Sequence, residues 1–214
     1  MQNPEKIFIW GAGGHGRMLL EIFRKNGEFE PIYFVDDNPK LKGQFIDGVE
    51  VLGGGDVLNK IKSFGIKRGI AGVGDCQKRC EIFETLKKEG FFFANAIDPT
   101  AIISPSAKIG KGVTIWAGAI VDAHSVISDN VIINEGAIIS HDNILGFGSH
   151  IASGVRLIGG AEIGEKTLIG MGAIIICKKI GRNSVVGAGS VVARDVTDNV
   201  VAVGFPARVV AKRD

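Results

Sequence analysis

The sequence predicts two architectures in one chain. A small parallel α/β sheet is expected over residues 1–98, and a left-handed parallel β-helix of hexapeptide repeats, ending in a tail, over 99–214. Three observations predict this. Short apolar runs alternate with segments of helical spacing up to Asp98. After Pro99 an aliphatic residue returns every six positions. Glycine is abundant at 31 residues and concentrates in GAGGHG, in LGGG and throughout the second half, against an average share of about 7 %.

The elements follow in order. KIFIW (6–10) reads as a buried strand running into the turn GAGGHG (11–16). RMLLEIFRKNG (17–27) has helical spacing, with Gly27 placed as a C-cap. PIYFVDD (31–37), RGIAGVG (68–74) and FFFANAI (91–97) are the remaining strands; DVLNKIKSFG (56–65) and QKRCEIFETLKKEG (77–90) are the remaining helices. Strand–helix alternation implies a parallel sheet of about four strands, with ligands at the carboxyl ends of those strands.

The six-residue beat runs without a break from Ile103 through Ile139 and Leu157 to Ile175. That is neither the 3.6-residue helical period nor the alternation of a hairpin array. Two positions earlier the residue is usually small, as at Ala119, Ser125, Ala137, Ser149 and Ala161, and glycine often follows the aliphatic residue. A six-residue period is one side of a triangular prism, with the aliphatic residue pointing inward and glycine or asparagine serving corners with unusual dihedrals. The beat then slips by one residue, near Lys178 and Lys179, and continues as Ile180, Val186 and Val192. NVVAVGFPARVVAKRD is a non-repeating tail expected to cap or flank the last coil.

Composition excludes several classes. A net charge of +2 without a basic run gives no electrostatic reason to expect nucleic acid or an anionic membrane as partner. The apolar run IFIW is far too short for a signal peptide or membrane span, so a cytoplasmic location is expected. Cys76, Cys80 and Cys177 fit reduced thiols better than a disulfide framework. The C-x3-C pair lacks further ligands for zinc, and no metal is expected.

Two motifs carry chemistry. GAGGHG satisfies G-x-G-x-x-G, and Asp36 follows on the next strand, a pattern that in a Rossmann-like sheet cradles a dinucleotide. The small sheet and the absence of dehydrogenase chemistry in the prism argue against a redox cofactor. The second motif is AIISHDN (137–143). His141 lies two residues beyond Ile139 and hence on an exposed corner, with Asp142 beside it. An imidazole there is either a working base, oriented by its carboxylate, or a polar corner residue. Stacked coils place Asp142 over His124, so His124 either steadies that carboxylate, competes for it or decorates a corner.

GAGGHG, IISHDN within a hexapeptide helix and the closing VGFPARVV together resemble the NeuD/PglD-like sugar acyltransferases. The resemblance spans nearly the whole chain. It implies acetyl-coenzyme A as donor, a nucleotide-linked amino-sugar as acceptor and a homotrimer with active sites between prisms. It also implies His141 as general base with Asp142 as helper; some relatives have Glu where this chain has Asp. His150 would bind the thioester, and Gly13, Gly14, His15, Asp36 and Asp37 the nucleotide-sugar, with Gly74, Asp75 and Asn134 as further substrate candidates.

For the coenzyme, small residues that admit an extended pantetheine arm suggest a track at Gly159, Gly172, Ala173, Ala188 and Gly189, with Pro206, Arg208 and Lys212 covering its adenine end. The leading expectation is N-acetylation of a 4-amino-sugar. O-acetylation of sialic acid or another sugar hydroxyl would use the same base. A γ-carbonic-anhydrase-like metalloenzyme wants a close His pair, whereas His124, His141 and His150 are widely spaced. A non-enzymatic binding prism is the last alternative.

Overall fold

The computed structural model describes residues 4–176 and 178–213; the expectation for Cys177 lies outside them. The chain divides into two compact units, one running through Pro99 and the other from Thr100. Both expected architectures are present.

In the first unit β1 (Glu5–Trp10) lies at the centre of the sheet, α1 (Gly14–Asn26) follows, and β2 (Phe29–Val35) pairs parallel to β1. Next come β3 (Phe45–Ile46), β4 (Val49–Val51), α2 (Leu58–Ser63), β5 (Arg68–Ala71), α3 (Cys76–Lys88) and β6 (Phe92–Phe93). The sheet order is β3-β4-β2-β1-β5-β6, so it holds six strands rather than about four. The added pair is an antiparallel hairpin turned by Asp47 (φ 48°) and Gly48 (φ 82°). Asp-Gly favours this turn because both central residues must take left-handed dihedrals.

Other boundaries also move. The first helix starts three residues before Arg17, drawing Gly14, His15 and Gly16 into its first turn. The second helix opens with a 3₁₀ turn at Gly55–Val57. The closing strand divides, with Phe92–Phe93 at the sheet edge and Ala96–Ile97 outside that sheet. Gly27 caps α1 as expected, at φ 66°, its N–H donating to the Phe23 carbonyl. Helix α1 buries Leu19, Leu20, Ile22 and Phe23. On β1, Phe8 and Trp10 join the cluster of Leu58, Ile61, Ile82 and Leu86.

The second unit is the prism. Its two-residue strands stack into three parallel sheets. One runs through Ile102–Ile103, Ile120–Val121, Ile138–Ile139, Arg156–Leu157, Ile174–Ile175 and Val191–Val192. Leu145, Ile163 and Ile180 belong to the second, and Ile133, Ile151, Ile169 and Val186 to the third. From Ile115 to Val192 every beat residue is at most 2 % exposed, and each such burial is worth about 1.5–3 kcal/mol. The small residues two positions earlier, such as Ala119, Ala137 and Ala161, are fully buried beneath them.

The corners revise one expectation. Left-handed dihedrals recur at every sixth residue from Gly112 to Gly172, three positions beyond the core residue, and include His124 (φ 60°), Asn130 (φ 60°) and Asp142 (φ 59°). The glycines that directly follow the core residue are a different class, with no such dihedral. A Cβ on Gly164 would lie 2.3 Å from the Arg182 nitrogen, and one on Gly146 2.7 Å from the Glu165 nitrogen. They are glycine because the next coil leaves no room, and not for dihedral freedom.

The slip is absorbed without loss of pairing, since Ile163 pairs with Ile180 in the same ladder. The tail is a hairpin of Val200–Gly204 and Ala207–Lys212, and Val185–Val186 pairs with its first strand.

Candidate active site

The AIISHDN corner is built from backbone outward. Ile139 is fully buried, Ser140 turns the chain, and His141 and Asp142 project into solvent with side chains 66 % and 59 % exposed. Asp142 holds the left-handed position, a conformation in which Asp is enriched several-fold among non-glycine residues. Its N–H donates to the Ala123 carbonyl at 2.9 Å. Its Oδ2 stands 2.7 Å from His141 Nδ1. An ionised carboxylate only accepts, so Nδ1–H donates and the Nε2 lone pair is left as a proton acceptor. Between the possible roles of His124 the geometry is plain. No hydrogen bond joins it to Asp142 among the described residues, and its own N–H donates to Ser106 Oγ at 3.1 Å.

Beneath the corner is a network that sequence reasoning missed. Asn143 is fully buried. Its Nδ2 donates to the carbonyls of Ser140 at 2.6 Å and Ile158 at 2.9 Å, and its Oδ1 accepts from the Ala161 N–H at 3.1 Å. Ser125 Oγ also donates to the Ser140 carbonyl, at 2.9 Å. The signal was available, because Asn143 lies two positions before a beat residue, where the chain otherwise favours alanine or serine.

On a neighbouring face His150 Nε2 is hydrogen-bonded to Asn134 Oδ1, and Asn134 is only 7 % exposed. Two expected residues thus meet. Of the residues expected to line a coenzyme track, Gly172 (φ 67°) and Gly189 (φ 66°) are exposed corner positions in successive coils, and the Gly189 N–H donates to the carbonyl of Met171, the residue before Gly172. Ala188 is exposed beside Gly189. Ala173 does not belong to the track. It is fully buried as an inward small residue, with its N–H bonded to Gly170 and its carbonyl to Arg156, so it offers no surface to a ligand. Pro206 and Arg208 lie at and just beyond the hairpin turn of the tail and Lys212 on its last strand. The Arg208 side chain donates locally, to the Ala207 carbonyl at 3.0 Å. Lys178, left aside at the slip, places its Nζ 3.0 Å from the Gly159 carbonyl.

In the first unit the expected ligand residues gather at the carboxyl ends of β2, β1 and β5, which are adjacent in the sheet. The chain leaves β1 toward β2 on one side and reaches β5 on the other, which makes this a topological switch point. The glycines of GAGGHG divide by cause. A Cβ on Gly11 would lie 2.5 Å from the Gly72 carbonyl oxygen and one on Gly16 1.8 Å from that of Gly11, so both are needed for close packing. Gly13 and Gly14 are exposed, have no left-handed dihedral, and would carry a Cβ into open space.

Asp36 is held by the fold, its oxygens accepting from the Ala12 and Asn38 N–H groups at 2.8 and 2.9 Å. Asp37 is exposed and accepts from Gly55 at 3.1 Å, with Lys78 Nζ at 3.5 Å. Asp75 caps α3 by accepting from Lys78 N–H at 2.7 Å. A Cβ on Gly74 would stand 3.9 Å from His15 Nδ1, so these two candidates are neighbours. Among the described residues no three His, Cys, Asp or Glu side chains cluster as metal ligands would, and no helix is long and apolar enough to cross a membrane.

A hexapeptide prism that carries an exposed His–Asp corner, joined in one chain to a parallel sheet with a glycine turn, is the arrangement expected of a sugar acyltransferase. Comparison with known proteins gives the family. A profile of the PglD N-terminal domain matches residues 6–86. PerB from Caulobacter crescentus, solved with CoA and GDP-perosamine, is 37 % identical over 96 % of this chain and 97 % of its own, with a TM-score of 0.91. The acetyltransferase domain of PglB from Neisseria gonorrhoeae, solved with acetyl coenzyme A, is 35 % identical over 97 % of this chain and all of its own, with a TM-score of 0.90. A galactoside O-acetyltransferase from Lactococcus lactis is 49 % identical, but over only 51 residues, or 25 % of its length. The chain spans about a quarter of the curated relatives it matches. The chain belongs to the NeuD/PglD-like sugar acetyltransferases.

Proposed function

We propose that the chain transfers an acetyl group from acetyl-coenzyme A to the 4-amino group of a nucleotide-linked amino-sugar, with His141 as general base. The single observation that carries this reading is the exposed His141–Asp142 pair at 2.7 Å, on a corner whose backbone is pinned from below. The neutral amine attacks the thioester carbonyl while Nε2 of His141 takes its proton. The tetrahedral intermediate collapses, the C–S bond breaks, and the coenzyme leaves as a thiolate that is then protonated. Asp142 holds the ring in the Nδ1–H tautomer and stabilises the cation formed. His150, steadied by Asn134, is assigned to the acetyl group, and Gly172, Ala188 and Gly189 to the pantetheine arm.

The nucleotide-sugar is assigned to the first unit. Gly13 and Gly14 admit the diphosphate at the start of α1, where the positive end of the helix dipole favours an anion. Asp37 accepts from the base or ribose. PerB, with CoA and GDP-perosamine bound, supports both ligand classes, and two further structures of that N-acetyltransferase carry a histidine replaced by asparagine or alanine. A cytoplasmic homotrimer completes the reading.

The test is to incubate the protein with acetyl-coenzyme A and a panel of GDP-, UDP- and dTDP-linked amino-sugars and their hydroxyl counterparts, following thiol release. Turnover with a 4-amino-sugar is expected. His141→Ala should lower kcat by about 10²–10⁴-fold, the usual worth of a positioned base, with coenzyme binding retained. Turnover only with the hydroxyl panel would move the reading to O-acetylation, and full activity of His141→Ala would remove the base.

A further inference from the structure

Gly159 is not explained by the corner it occupies. It lies one coil above His141, two positions beyond the core residue Leu157. Elsewhere this position carries side chains, among them Lys111, Glu135, Phe147, Glu165 and Met171, and Gly159 is its only glycine. Neither reason found for the other prism glycines applies. Its φ is not left-handed, and the atoms nearest to an added Cβ are not those of the following coil. They are the ring atoms of His141, with Cε1 at 2.5 Å, Nε2 at 2.6 Å and Nδ1 at 3.0 Å. The imidazole lies in the space that a side chain at 159 would fill.

We infer that Gly159 is a positioning residue, whose missing side chain forms the bay that holds the His141 ring against Asp142. The inference rests on His141 serving as the base. A methyl group at 159 leaves the backbone unstrained, because the φ suits any residue, and the ring is the part free to move. Rotation about the His141 side-chain bonds takes Nδ1 away from Asp142 Oδ2. Nε2 then no longer presents its lone pair at a fixed place, and proton transfer depends on that placement. Lys178 holds the Gly159 backbone in place, its Nζ donating to the Gly159 carbonyl at 3.0 Å.

This differs from the assignment of Gly159 to the coenzyme track, and Gly159→Ala separates the two. If the glycine seats the ring, kcat falls by about tenfold or more while both KM values stay within about twofold. In a His141→Ala background the same substitution then has no further effect, a coupling that a double-mutant cycle reads directly. If the variant melts at a lower temperature, removing the ring in the double variant restores the midpoint, since the methyl group then has room.

A raised KM for acetyl-coenzyme A with unchanged kcat would overturn the inference, as would additive losses in the double variant. Long-range ¹H–¹⁵N spectra of the His141 ring supply a readout free of activity. The wild type should show one Nδ1–H tautomer, and Gly159→Ala should abolish that single state. An unchanged ring spectrum refutes the bay. A wild type that acetylates no amino-sugar refutes the proposed function and leaves the spectral test standing.

Discussion

At the scale of single residues, the corner shows why one dihedral and one carboxylate belong together. The left-handed position at 142 admits Gly, Asn and Asp at little strain, and of these only Asp adds a charge beside the imidazole. Asp142→Asn keeps the dihedral and a potential acceptor for Nδ1–H while deleting that charge. Its kcat should fall by less than the about 10²–10⁴-fold of base removal, with both KM values and the melting midpoint unchanged, as steady-state kinetics and thermal denaturation would show. A wild-type kcat would reduce Asp142 to a corner residue. The pair was legible because the beat itself places 141 and 142 outside the core. The reason for Gly159 was not, because clearance over a ring depends on atoms one coil away, and spacing in sequence carries no measure of that distance. Asn143 lay between these cases, visible as an exception to the small-residue rule yet without a partner until the carbonyls of Ser140 and Ile158 were located.

Elements of the prism were legible wherever their cause is local. A six-residue period follows from the chain alone, so strands, inward faces and the slip near Lys178 could be placed before any coordinates. The Asp47–Gly48 hairpin escaped because strands of two and three residues are too short for periodicity to register, although its turn dipeptide is a recognised signal. The two glycine classes could not be separated, since one answers to a dihedral and the other to the coil above. Their difference predicts opposite outcomes. Gly154, at φ 69° with nothing near its missing Cβ, should accept Asn with little loss. Gly164→Ala should cost about 1–3 kcal/mol, the usual penalty of overpacking, because the new carbon meets main-chain atoms of Arg182. Denaturant titration of both variants measures this, and equal stability would discard the distinction.

Across the whole molecule, the proposed reading gives each unit its own ligand. A glycine turn at a switch point suits a phosphate-bearing ligand, and a laddered column with exposed corners suits an extended thioester. The two can be disturbed separately. Gly13→Ala adds a carbon to open space, so folding should be intact. The KM for the nucleotide-sugar should rise while that for acetyl-coenzyme A is unchanged, and initial-rate kinetics with each substrate varied in turn would show it. A rise in both, or in neither, would detach that turn from the nucleotide.

The slip carries a lesson about how such proteins change over time. Ile163 meets Ile180 one residue sooner than Leu145 meets Ile163 in register, and the ladder continues. A coil one residue shorter between its strands therefore keeps the ladder, whereas a deletion inside a two-residue strand would turn an aliphatic side chain outward. Lineages of this column should accumulate length differences at the vertices, leaving the flat sides to vary by substitution alone.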